Sequence, residues 1–235
     1  MPLGNFGTVY GNNRNARQIY KTELFDAVES DNINNVKKVL QEITVLKLDL
    51  IDAEDGIRNQ VALDTASANG NLDIVKALVE AGANINATDI DNISPLGYAA
   101  TNGHSDIVIY LSSLRELNPN IVRTGKYADE TPLMYAAWKC NKEAVEALIK
   151  KGANVNATKR VDGFKPILYA IYNVNGKQEA DDIIKLLIDN NANMINFHAQ
   201  YASEYPSQST KSTKSRKSKS RKSRKSKSRK SRKSR

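Results

Sequence analysis

The chain is short of most residues that do chemistry. Its 235 residues hold one cysteine, two histidines and one tryptophan. A single cysteine, Cys140, excludes an intrachain disulfide and fits a reducing compartment. With His104 and His198 it forms no pair at zinc-ligand spacing. No apolar run approaches the ~18 residues that a membrane-spanning helix needs. The opening stretch MPLGNFGTVYGNNRNARQIY has no apolar core of the kind a secretory signal requires. The matches to Asn-x-Ser/Thr at Asn86, Asn92 and Asn156 then carry little weight, because Asn is abundant at 25 of 235 residues.

Acidic side chains are missing from one region altogether. Lys211 to Arg235, KSTKSRKSKSRKSRKSKSRKSRKSR, has no acid, no aromatic and no aliphatic residue. Of 35 Lys+Arg, 15 lie there, which leaves 20 before it against all 26 Asp+Glu. The formal +9 therefore divides into an acidic body and a cationic arm. That composition cannot pack a core, so disorder is expected over 201–235. The candidate polyanion contacts are Lys211, Lys214, Arg216, Lys217, Lys219, Arg221, Lys222 and Arg224. They continue through Lys225, Lys227, Arg229, Lys230, Arg232, Lys233 and Arg235. Such an arm suits nucleic acid without base readout, an import receptor, or another anionic surface such as acidic lipid. The chain's own acidic loops, with Asp89, Asp91, Asp129 and Glu130, are one more such surface. Nine serines between the cations could erase the charge if phosphorylated.

The body is repetitive. Leu63, Ala66, Gly70, Ile74, Val75 and Leu78 recur 33 residues later as Leu96, Ala99, Gly103, Ile107, Val108 and Leu111. A third copy runs from Thr131 and a fourth from Lys165; a weaker one precedes them from Glu23. Within each copy the second stretch places apolar residues at i, i+1, i+4 and i+5, one face of a helix. The first stretch carries paired alanines, which let helices approach closely. Pro95, Pro132 and Pro166 mark helix starts, and Gly70 and Gly103 mark helix stops. Two-helix units of this period bury their apolar faces only by stacking, as a solenoid.

These residues resemble the ankyrin-repeat family. SPLGYAATNGHSDIV from Ser94 and TPLMYAAWKCNKEAVEALIKKGANVNA from Thr131 carry its pattern of Thr-Pro-Leu, paired Ala, Gly-His, a second helix and Gly-Ala. The resemblance covers roughly 21–196, about five repeats, and is most specific over 55–157. It implies an all-α fold, an ankyrin-repeat helical solenoid over 21–200. A flexible leader over 1–20 precedes it and the basic tail follows. There are departures. Asp64, Gly97, Met134 and Leu168 stand where the family has a His that ties repeats together. Cys140 takes a Gly position, and Arg115-Glu116 replaces one Gly-Ala end. Local irregularity is expected at those places.

No catalytic constellation is found. Leu3 to Gly11, LGNFGTVYG, looks like a kinase glycine loop, but only Gly4 and Gly7 fit and no other kinase motif follows. His104 sits in the family's Gly-His turn. Cys140 at a helix C-terminus suits an apolar filler better than a nucleophile. No cofactor, no metal and no enzymatic activity are expected. The resemblance instead implies a protein partner on the loop tips and first helices. Transferred repeat by repeat, that face consists of Ile90, Asp91, Ile93, Thr101 and Asn102. It continues with Tyr127, Glu130, Trp138 and Lys139, and with Asp162, Phe164, Tyr172 and Asn173. Trp138 and Tyr172 occupy equivalent positions, so an aromatic anchor over repeats four and five is expected. The alternative is that the insertion Asn173–Gly176 buries it. A monomeric interaction module is the reading, with a nucleic-acid-associated or nuclear adaptor as the second. Location is expected to be cytoplasmic, nuclear through the tail, or a host cell should the source be an intracellular bacterium.

Overall fold

The computed structural model describes residues 14–172 and 177–193. Ten α-helices lie within them, grouped as five pairs. They are α1 (Arg14–Glu29) with α2 (Ile33–Val45), and α3 (Ala62–Asn69) with α4 (Leu72–Glu80). Next come α5 (Pro95–Asn102) with α6 (Ser105–Ser113), and α7 (Pro132–Trp138) with α8 (Lys142–Lys151). The last pair is α9 (Pro166–Tyr172) with α10 (Lys177–Asp189). Among the described residues there is no strand, as the repeat pattern predicts. One boundary differs. Helix α1 begins at Arg14, inside the stretch 1–20 expected as leader. Ala16 is buried there, and Arg17 donates to the Asp49 carbonyl at 2.8 Å, so that turn is held by tertiary contacts.

The sequence explains why each pair forms. First helices start at Ser94 and Thr131, whose hydroxyls accept from the N–H groups of Gly97 and Met134, with Pro next in line. Second helices start at asparagines: Asn32, Asn71 and Asn141 accept from the N–H three residues on. Much of the high Asn content is thus capping chemistry. First helices stop at Gly70 and Gly103, at φ 86° and 85°. Cys140 takes that place in the fourth repeat at φ 52°. A side chain there costs about 1–2 kcal/mol relative to glycine's freedom. The irregularity at Arg115-Glu116 has its own solution: Lys151 at the end of α8 donates to the carbonyls of Leu114 and Arg115, the latter at 3.0 Å.

First helices stack on first helices, and second on second. Leu63, Leu96, Leu133 and Ile167, each at most 1% exposed, line one row; Ile74, Val75, Ile107, Val108, Leu111, Val145, Leu148 and Ile183 line the other. Each such side chain contributes roughly 1.5–3 kcal/mol by leaving water.

The ties between repeats are polar. Asn86, Asn120 and Asn156 reach forward by one repeat. Their amides donate to the carbonyls of Glu116, Gly152 and Asn191 at 2.8, 3.2 and 3.0 Å. Their oxygens accept from the N–H groups of Asn118, Asn154 and Asn193 at 2.8, 2.8 and 2.6 Å. Asn92 does likewise, donating to Val122 at 2.7 Å. All three Asn-x-Ser/Thr asparagines thus spend their amides inside the fold. Replacing Asn120 by Ala removes two hydrogen bonds across one junction. It should cost about 1–2 kcal/mol, measured by urea unfolding; a loss below about 0.3 kcal/mol would mean water replaces the amide there.

Candidate protein-docking face

The loop between successive pairs forms a finger, and the fingers are joined to one another. Ile90 N–H donates to the Arg58 carbonyl at 2.9 Å and Thr124 N–H to the Asp91 carbonyl at 2.8 Å. Arg160 grips Asp129 with two bonds of 2.9 Å. At the tips an apolar residue recurs four positions before each first-helix cap. Ile57, Ile90, Tyr127 and Val161 are 85%, 65%, 42% and 84% exposed. Ile57 belongs to this row, although the motif transfer began one repeat later and omitted it.

Beneath the tips lies a row of tyrosines that sequence reasoning also missed. Tyr98, Tyr135 and Tyr169 each stand at the fourth residue of a first helix. Tyr98 donates to Asp89 at 2.6 Å and accepts from Gln60 of the preceding repeat. Tyr135 donates to Glu130, and Tyr169 donates to the other oxygen of Glu130 at 2.9 Å. Burial, with the hydrogen bond to Glu130, pushes the Tyr135 hydroxyl up to about 12. Burial and the carboxylates Asp89 and Glu130 raise Tyr98 and Tyr169 further still. All three therefore act as donors at neutral pH. The signal was present as Pro95-Leu-Gly-Tyr98, Pro132-Leu-Met-Tyr135 and Pro166-Ile-Leu-Tyr169.

The acids of this face are already neutralised. Arg58 approaches Asp89 at 3.5 Å and Asp91 at 3.0 Å. Lys159 pairs with Glu130 at 3.3 Å and Asp162 at 3.2 Å, and Arg160 holds the Asp129 carboxyl below its ordinary range. The expected acidic loop surface is therefore corrected: Asp89, Asp91, Asp129 and Glu130 serve the fold first. Two candidate docking residues are corrected with it. Glu130 and Ile93 are buried. Ile93 closes a finger, its N–H held by Asp89 at 2.8 Å, and Glu130 is the hub of the tyrosine network.

The aromatic residues do come together, through Tyr169. Trp138 is 44% exposed and meets Tyr169 edge-on, with ring centroids 6.3 Å apart. Phe164 meets Tyr169 at 5.9 Å and stacks on Tyr172 at 5.1 Å. The Arg123 guanidinium lies over the Tyr127 ring, 4.7 Å from its centroid. Thr101 donates to the Gly97 carbonyl at 2.8 Å, and Asn102 to Ala68 at 3.0 Å; Lys139 is exposed beside Trp138. Asn173 and the tail lysines and arginines lie outside the described residues.

Other chemistry finds little footing. His104 Nε2–H donates to the Ala68 carbonyl at 3.0 Å, so that ring is a repeat-to-repeat tie. Burial and then Glu179 push the Cys140 thiol up, away from a reactive thiolate. Asp181 and Asp182 fall in the second turn of α10, and Asp182 pairs with Lys142 at 3.2 Å. Among the described residues no three His, Cys, Asp or Glu gather as a metal site, and no helix is long and apolar enough to cross a membrane.

The family described as ankyrin repeats (3 copies) matches residues 24–123, 63–159 and 96–198. The human Notch-regulated ankyrin repeat-containing protein is 37% identical over 86 residues, which is 37% of this chain and 74% of that protein. A putative ankyrin repeat protein of fowlpox virus is 33% identical over 135 residues, 56% of this chain and 36% of that one. A fem-1 homologue of Drosophila melanogaster is 35% identical over 94 residues, 37% of this chain and 14% of its own length. The stacked helix pairs, the fingers and these matches agree, and the chain belongs to the ankyrin-repeat family, whose repeats serve protein–protein interaction.

Proposed function

We propose that the chain is a non-enzymatic adaptor that docks a protein on its finger tips and on the aromatic cluster of repeats four and five. The observation that carries this reading is Trp138, 44% exposed yet braced edge-on by Tyr169. Hot spots favour Trp and Tyr whose rotamers are already held, because little entropy is lost on binding. Internal neutralisation of the acids favours a partner that offers apolar side chains over one that offers charge.

A second reading rests on composition. Fifteen cations in Lys211–Arg235, with no aromatic among them, suit a sequence-blind polyanion contact or an import receptor. In this version the arm sets location, in nucleus or cytoplasm, and the solenoid carries cargo.

One experiment addresses both. The full chain, a chain stopped at Ser209 and full-length Trp138→Ala are used to capture partners at moderate and high salt. The expected result is a protein retained by the first two at high salt. Its affinity should fall at least about tenfold with Trp138→Ala. An affinity unchanged within about twofold removes Trp138 as the anchor. Nucleic acid captured only at moderate salt, and only with the arm present, establishes the second reading.

A further inference from the structure

One tyrosine of the row breaks the pattern of the other two. Tyr98 and Tyr135 each donate to an acid of their own finger, Asp89 and Glu130. The finger before Tyr169 is closed by the Lys159 N–H on the Phe164 carbonyl at 2.8 Å, and that before Tyr98 by the Asp89 N–H on the Ile93 carbonyl at 3.1 Å. A cation thus opens the one where an acid opens the other. The single acid between Lys159 and Phe164 is Asp162, which the Lys159 ammonium takes at 3.2 Å and the Phe164 N–H at 3.0 Å. Tyr169 reaches back by one repeat instead and donates to Glu130 at 2.9 Å.

Glu130 is suited to hold it. The residue is buried, and its carboxylate receives three donors. Tyr135 takes one oxygen; Tyr169 and the Lys159 ammonium, the latter at 3.3 Å, share the other. A buried carboxylate engaged at both oxygens stays put, because turning toward one donor abandons another. The Tyr169 hydroxyl is therefore anchored. Its ring meets Trp138 and Phe164 at interplanar angles of 82° and 88°. Edge-to-face contacts depend on that angle, and a phenol fixed at its hydroxyl cannot tilt out of it. Trp138 needs such a brace. It is the last residue of α7, a helix of seven residues, and helix ends fray.

We propose that Glu130 is the positioning residue of the docking face: through the Tyr169 hydroxyl it holds Trp138 in one orientation. Glu130 itself is buried and acts only through Tyr169. What Trp138 is held for rests on the docking reading above. That it is held by Glu130 rests on these bonds alone.

Trp138 is the only tryptophan in the chain, so its fluorescence reports on this site. Acrylamide quenching and time-resolved anisotropy are read without denaturant on the full-length chain, Glu130→Ala, Tyr169→Phe, the two combined, and Tyr98→Phe. Glu130→Ala and Tyr169→Phe should each raise the quenching constant about 1.5- to twofold, near the ceiling left by a side chain already 44% exposed. Each should also add a fast component, on the nanosecond scale of free rotamer exchange, to the anisotropy decay. The combination should match Glu130→Ala alone, because both act through one bond. Tyr98→Phe removes the corresponding hydroxyl of repeat three and should leave Trp138 as it is. A Trp138 signal unmoved by either Glu130→Ala or Tyr169→Phe overturns the proposal. So do additive effects, or an equal response to Tyr98→Phe, which would mark general loosening. Should Glu130→Ala fail to fold, Tyr169→Phe against Tyr98→Phe decides alone, since each removes one hydroxyl. No partner enters these measurements, so their failure is distinct from a failure of the capture experiment.

Discussion

Replacing Asp64 by Asn is expected to stabilise the protein at pH 8 and to remove most of the dependence of its stability on pH between 4.5 and 8. Asp64 stands on α3 where the family carries a histidine, and it is completely buried. One carboxyl oxygen accepts from the Val61 N–H at 3.0 Å; the other has no partner. Burial, with Asp89, Asp52 and Asp55 adding to it, pushes the group from its ordinary 3.8 up to about 7. The sign follows. The folded chain holds this proton up to about pH 7, and the unfolded chain releases it near 3.8. Stability from this group is thus fully present at acid pH and is lost as pH rises through about 7. The span is at most about 4 kcal/mol, and relaxation around the site trims it to about 2–4. Asn keeps the acceptor for Val61 and cannot ionise. Other carboxylates, such as Asp129 under Arg160, slope the opposite way and cancel when the two proteins are subtracted. Urea unfolding of both across the pH range gives the difference directly. A difference that stays flat from pH 4.5 to 8 would falsify the assignment.

The second large effect is at Gly70. Its φ of 86° is left-handed, which costs a β-carbon about 1–2 kcal/mol. Space is the other constraint: a Cβ built there would lie 2.5 Å from Cε1 and 2.6 Å from Nδ1 of His104. The ring would have to move, and its bond to the Ala68 carbonyl would go with it. Gly70→Ala should therefore cost about 3 kcal/mol in all. Gly103→Ala is the control. Its φ is 85°, but its nearest neighbours are carbons of Lys139 at 3.7 and 3.8 Å, ordinary contact. It should lose only the backbone part, about 1–2 kcal/mol. Combining Gly70→Ala with His104→Ala should bring the further loss down to that same value. Equal costs at Gly70 and Gly103 in urea unfolding would show that the ring yields freely.

These two sites show where reading the chain stopped short. The repeats were legible because their signals are local. Proline after Ser or Thr, glycine at a left-handed stop, and apolar pairs at helical spacing all act within a few residues. Period and spacing therefore determined the helix pairs, their order and the rows of buried Leu, Ile and Val. The absence of His after Thr-Pro-Leu was equally visible, as was the odd Cys140 at a glycine position. Composition alone set the contrast between an acidic body and a basic arm.

Tertiary structure decided everything that depends on two repeats meeting. Glu130 and Asp89 look like surface acids in the sequence and are network hubs in the fold, because their partners Tyr169, Lys159 and Arg58 come from 29 or more residues away in the chain. The asparagine ladder ties neighbouring repeats, and no single repeat contains both ends of any of its bonds. Trp138 and Tyr172 were paired by their spacing, but the ring contacts join them through Tyr169 and Phe164. A periodic chain states its own unit, since each unit forms by short-range rules. What it presents to a partner is set at the junctions, where side chains from different units share space and charge.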